Sequence, residues 1–77
     1  MDLFIISPEG TRLSENTTRV TLPGSMGPFS ILKNHAPLIS TLEKGEVTYI
    51  VDNKIKSFGI DGGVISVEKN VVKVMIE

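Results

Sequence analysis

Apolar and polar positions alternate along most of this chain, and the alternation is often interrupted. Thr18-Arg19-Val20-Thr21-Leu22 makes every second residue apolar, as a strand with one wet face does. Glu46 to Val51 repeats the pattern, with Val47, Tyr49 and Val51 on one face. Leu3 to Ser7, Phe29 to Leu32, Lys54 to Ile60, Val64 to Val67 and Val71 to Ile76 are further short runs suited to strands. Turn chemistry separates them. Pro8-Glu9-Gly10 folds the first run back into Thr11-Arg12-Leu13, while Asp52-Asn53 and Glu68-Lys69-Asn70 punctuate the later pairs. Gly59-Ile60-Asp61-Gly62-Gly63 reads as a tight turn that needs positive φ or close backbone packing. Nowhere does an apolar i, i+3, i+4 pattern last the roughly 10–12 residues a helix needs. The expected fold is therefore all-β: a sandwich or barrel of antiparallel hairpins with about eight to ten short strands. Residues 1–77 are expected to form a single domain, with no helical domain.

Composition narrows the function. The 77 residues are 40% hydrophobic and 22% charged, which describes a folded chain rather than a disordered one. Without cysteine there is neither a disulfide nor a thiolate zinc site. Eight basic against nine acidic residues give a net charge of -1, with no basic cluster to neutralise phosphates. Phe4, Phe29, Tyr49 and Phe58 are the whole supply of aromatic rings, few for stacking bases. These features argue against the main competing reading, a small β-barrel that binds single-stranded nucleic acid. Leu3-Phe4-Ile5-Ile6 is too short and lacks the preceding basic residues of a signal peptide. No run approaches the ~18 apolar residues that span a bilayer, so a soluble protein is expected. Asn16-Thr17-Thr18 matches the glycosylation pattern by chance in such a chain.

Candidate chemistry begins with His35, the only histidine. A hydrolase built on it needs a nucleophile and an orienting acid, but Gly24-Ser25-Met26-Gly27 lacks the spacing of a nucleophile elbow. The acids Asp2, Glu9, Glu15, Glu43, Glu46, Asp52, Asp61, Glu68 and Glu77 are scattered singly, as on a solvated surface. There is no phosphate-cradling G-x-x-x-x-G-K-[ST]. No enzyme, cofactor or metal site is expected.

The loop-rich middle of the chain carries a different message. "PGSMGPFSILKNHAPLISTLEKGEV" resembles the epsilon subunit of F-type ATP synthase, with its pattern G-x-x-G-x-[FL]-[GS]-I-L-x-x-H-A-P-L-[IL]-[ST]-x-L-x-x-G. Gly24, Gly27, Phe29, Ser30, Ile31, Leu32, His35, Ala36, Pro37, Leu38, Ile39, Ser40, Leu42 and Gly45 fall into register. "GIDGGVISVEKNVVKVMIE" and "LFIISPEGTRLSENTTRVTLPG" match the family's later and earlier strands, so the resemblance covers nearly the whole chain. It implies a flattened β-sandwich of about ten strands, a non-catalytic part of the central stalk that binds the gamma subunit and the ring of c subunits. It also implies a place on the cytoplasmic face of a bacterial membrane, peripheral and held there through the complex.

Carried over motif by motif, Ser25, Met26, Gly27 and Pro28 form the loop facing the c ring, and Ser7, His35 and Ser40 face gamma. Met26 reads equally as a plain surface methionine or as a flexible thioether filling an irregular contact. For His35, forming the turn and touching a partner are compatible roles, and Ala36, preceding proline, makes the corner rigid. Two departures from the family pattern stand out. Pro28 occupies a position that is often acidic, and Ser66 one that is often glutamate. The sequence stops after the last expected strand, where relatives continue into two helices. Helix-mediated inhibition of hydrolysis is therefore not expected of it.

Overall fold

The computed structural model describes all 77 residues, Met1–Glu77. Nine strands form: β1 (Asp2–Ser7), β2 (Gly10–Asn16), β3 (Arg19–Leu22), β4 (Phe29–Leu32), β5 (Leu38–Leu42), β6 (Gly45–Val51), β7 (Lys54–Ile60), β8 (Gly63–Glu68) and β9 (Val71–Met75). They build two sheets, of order β2-β1-β9-β8-β5 and β4-β3-β6-β7. The expected all-β sandwich is the fold observed.

Alternation decides which side chains meet between the sheets. Leu3 and Ile5 of β1, Ile65 and Val67 of β8, and Val72 and Val74 of β9 point inward from the five-stranded sheet. Val20, Leu22, Ile31, Val47 and Tyr49 answer from the four-stranded one. All belong to one cluster of 13 buried residues. Burying a side chain of this size is worth roughly 1.5–3 kcal/mol, so this cluster is the main stabilising element of a small domain.

Two hairpins turn through non-glycine residues with positive φ. Asp52 and Asn53 (51° and 64°) join β6 to β7, and Lys69 and Asn70 (50° and 62°) join β8 to β9. Two positive φ values in a two-residue loop give the type I′ twist that matches paired strands. Three features depart from the pattern expected of hairpins alone. The first and last strands, β1 and β9, lie parallel, with Leu3 opposite Val72 and Ile5 opposite Val74. A ninth strand, β5, follows Pro37 where a rigid corner alone was expected. Finally, β2 runs on from the expected Thr11–Leu13 to Asn16.

The sandwich is joined along one side and parted along the other. A single bridge between Gly24 and Leu42 ties the segment after β3 to the edge strand β5. On the opposite side the edges β2 and β7 do not pair. A cleft of about 550 Å³ lies there, lined by Arg12, Phe58 to Gly63, Ile76 and Glu77.

Gly63 must be glycine for β8 to run beside β9. A Cβ at that position would run into the carbonyl oxygen of Met75. Gly63→Ala is expected to cost about 2–3 kcal/mol, the scale of forced overpacking, against a total of roughly 4–11 kcal/mol for a chain this size. Urea denaturation measures it. Gly59→Ala, whose Cβ would meet nothing within 4 Å, should stay within about 0.5 kcal/mol of the parent.

Candidate functional site

The Gly24–Pro28 loop owes its shape to two glycines and a set of tethers. A Cβ on Gly24 would lie 2.6 Å from the Gly27 carbonyl oxygen and from the Phe29 ring, so only glycine fits. Gly27, with φ of 120°, closes the turn by donating its N–H to the Gly24 carbonyl at 3.0 Å. The Ser25 N–H donates to the Thr41 carbonyl at 3.1 Å, and the Thr41 hydroxyl donates to Ser25 Oγ at 3.0 Å. The Glu43 N–H then reaches the Pro23 carbonyl at 2.8 Å. Anchored at its base, the loop holds Met26 at its tip with the side chain fully exposed, at 102% of its reference area. Pro28 is exposed beside it.

The other three expected residues lie far apart on the five-stranded side. Ser7 ends β1 and is buried at 6% exposure; its hydroxyl donates to Glu9 Oε2 at 2.9 Å. That bond holds the Glu9 carboxyl below its ordinary value of 4.5, helped by a backbone hydrogen bond and by the Arg12 charge. His35 sits in the β4–β5 crossover, at the end of the sandwich where the β8–β9 turn lies, opposite to the end of Ser7. Its ring is exposed, and Nδ1 lies 2.6 Å from the Ala36 carbonyl oxygen. The hydrogen-bond partner of the imidazole is this backbone carbonyl, which orients the ring within its own turn. Ser40 lies opposite Ile65 in mid-β5, on the inward face with Leu38 and Leu42.

Because Ser40 points inward, its neighbours Ile39 and Thr41 point out. Ile39 is 79% exposed; a single exposed apolar side chain is ordinary, and a contiguous row of them is not. Register extends this observation across the sheet. Thr41, Val64, Met75 and Ile6 stand side by side on β5, β8, β9 and β1, all on the outer face. At about 4.8 Å per strand, this row crosses ~14 Å of surface. Ile39, Ser66, Lys73 and Phe4 form the row beside it. Reasoning from sequence passed over Ile39, Val64 and Met75; the signal was an apolar residue at the outward position of alternating strands. The outer face of the four-stranded sheet is more polar. Ser30, Thr21, Thr48 and Ser57 make a hydroxyl row there, and Arg19 interrupts the apolar neighbours Leu32, Ile50 and Ile55.

Comparison with known proteins places these surfaces in a family. The profile described as ATP synthase, Delta/Epsilon chain, beta-sandwich domain, matches residues 1–77. The chain belongs to the ATP synthase delta/epsilon family. It is 41% identical over 75 residues to the ATP synthase epsilon chain of Desulfitobacterium hafniense, covering 97% of this chain and 57% of that one. With the ATP synthase epsilon chain of Leptospira borgpetersenii it shares 35% over 77 residues, which is 100% of this chain and 61% of the other. This member of the family thus spans little more than half the length of the curated relatives it matches. Its fold recurs in a chain of the Euglena gracilis mitochondrial ATP synthase structure (OSCP/F1/c-ring), with a TM-score of 0.88 at 21% identity, covering 96% of this chain and 48% of that one. A chain of the Tetrahymena thermophila mitochondrial ATP synthase central stalk/c-ring structure gives 0.79 at 18%, covering 99% and 62%.

The Ser7–Glu9 contact gives a direct test of the geometry around Ser7. Since the folded value of Glu9 lies below the unfolded one, its stabilising contribution is present above pH 4.5 and fades as pH falls through the lowered value. Ser7→Ala is expected to return the Glu9 carboxyl toward 4.5, read by its NMR titration curve.

Proposed function

We propose that this chain is a non-catalytic rotor subunit of an F-type ATP synthase, linking the gamma subunit to the c ring so that ion-driven rotation reaches the catalytic head. The complex holds it on the cytoplasmic face of a bacterial membrane. Family membership and the names of the bacterial relatives support the assignment. The observation that carries it is the pairing of two exposed surfaces on one rigid body: the apolar row on the five-stranded sheet and the tethered loop that presents Met26. Gamma docks on the first through Ile39, Val64 and Met75, with exposed His35 at the same edge of the sheet; of the other two residues expected there, Ser7 and Ser40 turn inward and act only by shaping the strands that carry this face. The c ring meets the second through Ser25, Met26, Gly27 and Pro28.

The two surfaces meet at Thr41. Its place at the end of the apolar row and its hydrogen bond to Ser25 make the mechanical path between partners a few residues long. A stiff path suits a rotor, because compliance at the contact would let one partner slip against the other. At this contact Pro28 supplies an apolar ring where the family pattern often has an acidic residue, so the contact does not rest on charge pairing at this position. A complex assembled with these 77 residues alone, which include no helix, should hydrolyse ATP without helix-mediated inhibition.

Co-purification with gamma and the c ring tests the proposal, and failure to bind either, with gamma in excess, would overturn it. Ile39→Glu should weaken gamma binding by about tenfold or more, the loss of about 1.4 kcal/mol, with little change in thermal stability because Ile39 is exposed. Met26→Asp should spare gamma binding and reduce retention on the ring.

A further inference from the structure

The two type I′ turns of this fold have the same backbone and different side-chain fates. Asn53 and Asn70 each hold the second central position, at φ of 64° and 62°. Glycine suits that position best. Asn53 makes no side-chain hydrogen bond. Asn70 makes two, both to Asn34 in the β4–β5 crossover, 36 residues away along the chain. Its Oδ1 accepts the Asn34 N–H at 2.6 Å, and its Nδ2 donates to Asn34 Oδ1 at 3.2 Å. Because a backbone N–H can only donate, the first bond fixes which end of the Asn70 amide is oxygen, and the second follows from it. The Asn70 carbonyl also accepts the Asp2 N–H at 2.9 Å, which roots this turn beside β1.

The crossover needs such an anchor. Lys33 to Pro37 are all exposed, and the only other hydrogen bond that shapes the segment from outside it is His35 N–H to the Leu32 carbonyl at 3.2 Å. Asn34 itself stands at φ of 66°. We propose that Asn70 is a positioning residue for partner docking: through its paired bonds to Asn34 it holds the His35-Ala36-Pro37 corner in its binding shape against the five-stranded sheet. This rests on the assignment of His35 to the gamma-facing side. A corner fixed in advance binds without first losing the freedom of an exposed loop, which is where affinity is gained by pre-organisation.

Glycine variants separate this role from that of the turn. Asn70→Gly and Asn34→Gly keep positive φ accessible and remove only the paired amides. Asn53→Gly makes the same backbone change on the turn without them. Calorimetric titration with gamma should show binding about tenfold weaker for Asn70→Gly and unchanged for Asn53→Gly, with both melting temperatures near the parent's. The Asn34/Asn70 double variant should be no weaker than either single one, since the residues act as a unit. In the free chain, amide exchange at Asn34 should accelerate about tenfold or more in Asn70→Gly, while the Val72 amide stays protected. If Asn70→Gly binds gamma as tightly as the parent, the positioning role is wrong and the docking assignment stands. If Asn34 exchange does not change, the paired bonds do not hold the corner. Should the parent chain itself not bind gamma, the docking assignment falls, and the role of Asn70 in docking falls with it.

Discussion

Leu3, Ile5 and Ile6 of β1 lie parallel beside Val72, Val74 and Met75 of β9, so the first strand of the chain is completed only by the last. Every other feature of the five-stranded sheet depends on this pairing. It places β1 and β9 at the sheet's centre, carries four of the core residues inward, and sets Ile6 beside Met75 on the outer face. It also makes the fold strongly non-local, because strands at opposite ends of the sequence must meet before the core can close. Chains of this kind fold slowly for their size, since loop closure costs entropy before the contacts return it.

That arrangement makes the same strands serve two faces. The inward residues of β8 and β9 build the core, while the alternate residues of the same strands form the outward apolar row. A one-residue slip in register would therefore turn the whole row inward and expose the core. The Lys69-Asn70 turn, which pins β8 against β9, guards that outward row as much as the hydrophobic interior.

Local pattern made much of this visible in advance. The hairpins around Asp52-Asn53 and Lys69-Asn70, the face shared by Val47, Tyr49 and Val51, and the glycine turn at Gly62-Gly63 all follow from alternation and turn chemistry. Strand β5 was hidden because its parity is inverted: Ser40 points inward and Ile39 outward, so Leu38-Ile39-Ser40-Thr41-Leu42 does not read as a half-buried strand. The parallel pairing and the Asn34–Asn70 contact were hidden for another reason. They join residues far apart in sequence, and no single stretch records them. The positions expected on docking surfaces came from resemblance to a family. The structure adds the outward apolar row, whose residues are ordinary strand formers until register is known.

The unequal sides of the sandwich have a consequence for where solvent meets it. With Gly24 and Leu42 joined on one side and β2 and β7 unpaired on the other, the two sheets resemble covers sharing one spine. Solvent already reaches between the sheets on the unpaired side, along the cleft that lies between Arg12 and Phe58. The loop bearing Met26 is attached at the spine itself, held to Thr41 by two hydrogen bonds. Water thus enters the seam between the sheets from one side, while the Met26 loop is fastened on the other.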